Sequence, residues 1–271
     1  MRWVSGRGLT YLIGVAVAMF IIIPIYLIAL MAFGTDDFIN QFPKQFIHTA
    51  ETFTTETIEF FWNFRGVQES VVASLAVAGI TIVLSLGLGA PAGYALARYR
   101  FRGDDAYRLG ILATRAFPVV ILAVPLVTTY ITWGIDDTVL GIALLHTAMA
   151  LPTTILVTAS VFVGVSTDLE AAALTLGCTR REAFRRISLP LALPGLAAST
   201  IFTFVLSWNE VFGAAVLSSR NPTLPAKLVT QLGESSLRFR FAGGFFILVP
   251  ALIFMVFVRR YLMSLWGVRL K

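Results

Sequence analysis

The chain has 271 residues, of which 57% are hydrophobic and 13% charged, about half the charged share of an ordinary soluble protein. Such a composition leaves too little polar surface for a water coat, and the mean hydropathy of +0.82 agrees; a soluble globule, a disordered chain and a collagen are excluded. One cysteine, Cys178, excludes an internal disulfide and a four-cysteine metal site, and His48 and His146 lie far apart in sequence, which leaves a polytopic membrane protein.

A helix needs about 20 apolar residues to cross a bilayer. Charge-free runs supply this at 8–35, 70–97, 116–135, 138–167, 187–209 and 241–258. The expected fold class is all-α with six transmembrane helices, over roughly 10–33, 71–97, 110–130, 139–163, 191–209 and 242–258. The first run is read as a true span. It is longer than a signal-peptide core and ends in Leu30-Met31-Ala32-Phe33, without a small-x-small cleavage site. Residues 1–70 are divided off as this helix and an outside segment, in which Phe61, Trp62 and Phe64 suit an aromatic interface anchor; 71–271 form a five-helix core. In the second span, Gly89 and Gly93 allow close helix contact or a hinge, with Pro91 between them. Pro24, Pro118 and Pro125 are further candidate bends, and Arg115 suits snorkelling at the inner end of the third span. His146, in the fourth, suits a hydrogen bond to a neighbouring helix or a proton relay.

With the N-terminus in the cytoplasm, the inside segments carry 15 of the 21 Lys and Arg residues and the two faces carry net +10 and −4. This is the positive-inside asymmetry, and it accounts for the net charge of +6 without nucleic acid. Both termini are therefore expected in the cytoplasm, and the multi-pass chain in the cell membrane among lipids.

The cytoplasmic link 164–190 is long for a connector and has helical content. Thr167 or Asp168 can cap a first helix, and Gly177 can end it in a positive-φ conformation. Thr179 and Glu182 have capping-box spacing for a second helix, with Ala183, Phe184 and Ile187 on one face; Pro190 can begin the next span. Two readings stand: a docking element presenting an apolar knob and arginines, or an amphipathic connector on the membrane. Cys178 reads as a free thiol. No Gly-rich loop ending in Gly-Lys-Ser/Thr occurs, so no cofactor and no ATP hydrolysis are expected in this chain.

This loop resembles the cytoplasmic "EAA" loop of permease subunits of bacterial and archaeal ABC importers. Ala172-Ala173 match the alanine pair and Gly177 the glycine, with Phe184 and Leu189-Pro190 at the family spacing. Ala171 stands at the glutamate position, and the acid is one place earlier, at Glu170. Tyr94-Ala95-Leu96-Ala97-Arg98 with Phe101-Arg102-Gly103 is similar to the family's second-span exit. Ser207-Trp208-Asn209-Glu210 with Thr223-Leu224-Pro225 is similar to carbohydrate permeases of the maltose MalG type, and Arg260-Tyr261-Leu262 with Gly267 and Lys271 to their basic tail.

The resemblance implies alternating access in half of a translocation path. Its implied partners are a second, unlike permease, two ATPase subunits that bind ATP and Mg, and an external substrate-binding protein. The loop would dock in the ATPase and carry its motion. An importer also needs polar side chains along its path. Thr128, Thr129, Tyr130, Thr147, Thr153, Thr154, Ser160 and Thr203 are candidates, though hydroxyls also bond to their own helix backbone. Ser207, Trp208, Asn209 and Glu210 offer an aromatic face with amide and carboxylate groups, as a sugar needs; the other reading is an interface anchor with Trp208 at headgroup level and Glu210 in water. The same machinery could serve a polyamine, an oxyanion or a metal, and from another class the chain could be an ion-coupled carrier or a membrane scaffold.

Overall fold

The computed structural model describes residues 2–231 and 233–265. Among them the regular elements are helical, apart from an isolated antiparallel bridge between Gly34 and Phe53. Five helices are long and apolar enough to cross a membrane. They lie in α1 (Arg2–Ala32), α4 (Val67–Arg98), α7 (Val139–Val163), the run Arg180–Asn209 and the first part of α13 (Leu237–Leu265). Short helices connect them: α2 (Asp36–Asn40), α3 (Glu56–Asn63), α8 (Thr167–Thr175), α11 (Phe212–Leu217) and α12 (Leu224–Thr230).

The span expected over 110–130 is broken in two, and its parts together are long and apolar enough to count as a sixth. α5 (Asp104–Ala113) and a 3₁₀ turn lead to Ala116, α6 (Val119–Trp133) follows, and the two parts meet at 83°. Pro118 is the cause. Its ring disfavours the helical conformation at the preceding residue, and Phe117 is extended at φ −73°, ψ 117°. Pro24 and Pro125 lie inside α1 and α6, which continue past them.

The chain divides into two compact units, Met1–Gln68 with Leu228–Pro250 and Glu69–Lys227 with Ala251–Lys271. In the first, Leu30, Met31, Phe38 and Ile39 form a buried cluster. Arg238 reaches Asp36 at 3.1 Å and Glu56 at 3.6 Å and donates to the Thr57 hydroxyl. Of the expected aromatic anchor, Phe61 is fully buried against Phe239 and Phe246, while Trp62, stacked on Phe246 at 5.4 Å, and Phe64, 5.1 Å from Phe239, remain exposed.

The second unit is built on close contact of α4, α7 and α10 (Leu189–Asn209). A Cβ on Gly89 would come within 2.6 Å of Thr154 Cγ2, and one on Gly93 within 2.7 Å of the Ala159 nitrogen, so both glycines serve tight packing. The contact lets the Thr158 hydroxyl donate to the Gly89 carbonyl across 2.9 Å. Gly195 on α10 repeats the device against Val161, 2.5 Å from where its Cβ would sit.

Candidate functional site

The loop 164–190 folds as two helical pieces around Gly177, whose φ of +90° lies in the left-handed region that favours glycine. α8 is capped one residue earlier than expected: Ser166, not Thr167 or Asp168, accepts from the Asp168 N–H at 3.2 Å. Thr179 and Glu182 complete the capping box at the start of α9 (Arg180–Ala183). α9 is not a separate helix. It runs through a π-helical stretch, Phe184–Ser188, directly into α10, with Pro190 in the first turn.

Glu170 is the organising residue. It is buried on α8, and its Oε1 accepts from Arg98 Nε (2.8 Å), Arg98 Nη2 (2.6 Å) and the Ser188 hydroxyl (2.7 Å). Its Oε2 accepts from the Tyr94 hydroxyl at 2.8 Å. Arg98 also donates to the carbonyls of Phe162 and Val165, each at 2.8 Å. One guanidinium thus closes off the C-terminal end of α7 and holds the acid of α8, while Tyr94 and Arg98 belong to α4. Burial raises the Glu170 carboxyl, but the hydrogen bonds from Arg98, Ser188 and Tyr94 and the Arg98 charge outweigh it and hold the group below its ordinary range. The acid displaced from the motif position is therefore ionised and fully engaged.

The other loop residues divide by exposure. Ala173 is buried and Ala172 exposed. Phe184 is no outward knob: its ring packs against Tyr94 at 4.7 Å and Phe162 at 5.9 Å, with Leu189 beside the same cluster. The loop's outward apolar groups are Leu169, Leu174 and Leu176, the last 86% exposed. Tyr94, Arg98 and Ser188 are the site residues that sequence reasoning missed. A signal existed, since Tyr94 and Arg98 are spaced i, i+4 and share one helix face.

At the other end of α10 the residues Ser207, Trp208, Asn209 and Glu210 part company. Trp208 is fully buried and stacks on Phe204 at 5.5 Å. Glu210 is not in water. It accepts from the Gly213 N–H (2.8 Å) and the Ala214 N–H (2.9 Å), capping α11, and contacts His146 Nε2 at 3.1 Å. The His146 Nδ1 lies 2.8 Å from the Ser207 hydroxyl. This pairing fits the tautomer in which Nε2–H donates to Glu210 and Nδ1 accepts from Ser207. The expectation of a bond from His146 to a neighbouring helix holds, and the headgroup placement of Trp208 and Glu210 does not. Asn209 is exposed, with its amide donating to the Val205 carbonyl at 2.9 Å. The hydroxyls of Thr128, Thr129, Thr147, Thr154 and Ser160 donate to carbonyls of their own helices.

A cleft of about 640 Å³ opens beside the bend before α6, lined by Arg115, Phe117, Leu122, Thr129, Met149 and Leu206 among others. Of the C-terminal match, Arg260, Tyr261 and Leu262 fall in α13, and Gly267 and Lys271 lie outside the described residues.

The chain is 31% identical over 260 residues to the diacetylchitobiose uptake system permease protein DasC of Streptomyces coelicolor, covering 92% of each chain. It is 31% identical over 216 residues to the trehalose transport system permease protein SugB of Mycobacterium tuberculosis, covering 75% of this chain and 79% of that one. Among solved structures, a chain of a bacterial ABC transporter that imports the acidic polysaccharide alginate superposes with a TM-score of 0.76 at 20% identity, covering 96% of both. A chain of the MetNI methionine ABC transporter in an inward-facing form gives 0.58 at 20% identity, covering 76% of this chain and 97% of that one. The family described as "Binding-protein-dependent transport system inner membrane component" matches residues 85–265, a stretch that holds the Glu170–Arg98 joint and both ends of α10. The chain therefore belongs to this family of membrane-embedded permease subunits.

Proposed function

We propose that the chain forms half of the translocation path of an ATP-driven importer for a sugar or oligosaccharide, within the carbohydrate-uptake branch that includes permeases of the MalG type. The named substrates of DasC and SugB, both saccharides, support the substrate class. Family membership implies the partners: a second permease, here an unlike one, two ATPase subunits holding ATP and Mg, and an external binding protein. The chain itself is a non-catalytic membrane component. On this reading residues 1–70 stand apart from a permease core at 71–271, and both termini are cytoplasmic.

The observation that carries the mechanism is the Glu170–Arg98 joint. A force applied to the exposed Leu169 and Leu174 of α8, and to Leu176 just past its end, passes through one ion pair to α4 and to the end of α7, and through Ser188 to the start of α10. The loop is thus built to move these helices together when an ATPase closes on it. Ala172, Ala173, Gly177, Phe184, Leu189 and Pro190 shape the loop and its junction with α10. At the opposite end of α10, Asn209 meets the sugar, and Ser207, Trp208 and Glu210 hold the backbone that carries it.

The test is Gly177→Pro in the assembled transporter. Proline cannot adopt the left-handed conformation of this turn, so sugar uptake should fall at least tenfold while the chain still inserts and ATP hydrolysis continues. Unchanged uptake would remove the loop from the mechanism.

A further inference from the structure

The segment between α2 and α3 carries an apolar tip that neither the transport cycle nor the fold explains. Phe42, Phe46 and Ile47 are 91%, 61% and 76% exposed within six residues of chain. Three large exposed apolar side chains within one short loop mark an interaction surface.

Two tethers fix where that tip lies. The Tyr26 hydroxyl donates to the Phe46 carbonyl, and His48 Nε2 meets the Leu30 carbonyl at 2.8 Å. Both partners are on α1, short of its end at Ala32. Tyr26 is six residues before that end, or about 9 Å along the axis at 1.5 Å per residue. Helical side chains also lean toward the helix N-terminus, so the Tyr26 hydroxyl reaches no shallower than its own backbone. From His48 to Phe46 the chain therefore runs back along α1, from the level of Leu30 to that of Tyr26, about 6 Å deeper. The His48 ring is held from the other side by Phe38, at 4.4 Å between ring centres. The loop is a hook folded down beside a membrane-spanning helix.

What covers the hook follows from what lies next to it. α1 exposes Met19, Phe20, Ile21, Ile22, Ile23 and Tyr26 along the turns that approach the tethers. This is the surface of a span, and the apolar side chains of the hook continue it. The charge in the hook, Lys44, is turned back so that its ammonium donates to the Ile39 carbonyl. Snorkelling lysine and aromatic residues are the ordinary equipment of a membrane–water boundary.

We propose that residues 42–47 insert into the lipid leaflet at the C-terminal end of α1, anchoring this segment to the headgroup and upper acyl region. The proposal is independent of the substrate and of the coupling loop.

Nitroxide labels attached through Phe42→Cys, Phe46→Cys and Ile47→Cys, in a Cys178→Ser background, test it in the full-length chain in phosphatidylethanolamine–phosphatidylglycerol liposomes. The expected result is strong collision with dissolved oxygen and weak collision with a water-soluble nickel chelate. The ratio should be several-fold higher than for a label at the exposed Thr49. Free access of the chelate to all three positions would overturn the proposal in favour of a solvated loop. Low access of both reagents would overturn it in favour of a protein partner on the hook. Because cysteine replacement removes one apolar group at a time, Tyr26→Phe with the label at Phe46 is the second arm. Loss of the tether should raise chelate access there, and no change would remove the depth argument.

Discussion

The two ends of the second unit are both organised by buried or partly buried carboxylates, but with different chemistry. At the loop end, Glu170 is met by a guanidinium, a phenol and a hydroxyl from α4 and the stretch before α10. At the other end, Glu210 and Asp137 are met mainly by backbone N–H groups of the turns they cap. Glu210 serves Gly213 and Ala214; Asp137 accepts from Arg220 and Asn221 and from the Ser218 hydroxyl. Long side chains reaching between helices make a joint through which displacement can pass. Carboxylates that accept mainly from backbone N–H groups make a knot that holds turns in shape, Glu210 at the start of α11 and Asp137 at residues 218–221. The first design suits an end that must transmit force, and the second an end that must hold its form.

The comparison breaks most readily at Arg98. Arg98→Ala leaves Glu170 charged and buried without its cation, and strips a donor from the carbonyls of Phe162 and Val165. Removing one partner of a buried pair costs about 3–5 kcal/mol, a large fraction of the stability of most domains. The thermal midpoint of the purified subunit should fall sharply, and uptake with it. If Arg98→Ala unfolds no earlier than the parent, the ion pair is not the joint described here.

A smaller loss is expected at the knot. Glu210→Ala leaves two N–H groups at the start of α11 and the His146 ring without an acceptor, at about 1–3 kcal/mol for each donor left dry and less for each that water reaches in the vacated space. Glu210→Gln keeps an acceptor oxygen and should recover part of that loss in the same thermal assay. A Glu210→Ala effect as large as that of Arg98→Ala would erase the distinction between joint and knot.

The local parts of these sites are readable from sequence because they depend on neighbours in the chain. Gly177 as a positive-φ stop and Thr179 with Glu182 as a capping box follow from spacings of a few residues. The pairings that give the sites their meaning do not. Glu170 and Arg98 are 72 positions apart, and His146 and Glu210 are 64 apart. Apolar runs disclose that two helices span the bilayer, not which faces meet. That is also why Phe184, part of a knob on one of the two readings, turns inward: only the approach of Tyr94 and Phe162 gives its ring a better place. The break at Pro118 was partly visible, since proline was a candidate bend. A run of apolar residues, however, carries no information on how the dihedral at Phe117 resolves.

Acid titration sharpens the comparison most finely. Burial raises Asp137 too, but the Ser218 hydroxyl, the N–H groups of Arg220 and Asn221 and the Arg220 charge outweigh it, so its carboxyl also lies below the ordinary range. For a carboxylate held lower in the folded state than in the unfolded one, the stabilisation is fully present above the unfolded value. It is lost as pH falls through the folded value. The thermal midpoint should therefore show no loss from these two groups until pH approaches about 4, the ordinary carboxylate range, and should fall below it. Glu170→Gln should remove much of that acid limb, because its partners are buried with it. Asp137→Asn should remove less, because its Arg220 partner lies on an exposed turn where solvent screens the charge. An acid limb that Asp137→Asn flattens more than Glu170→Gln would mean that the turn, and not the joint, carries the larger electrostatic share.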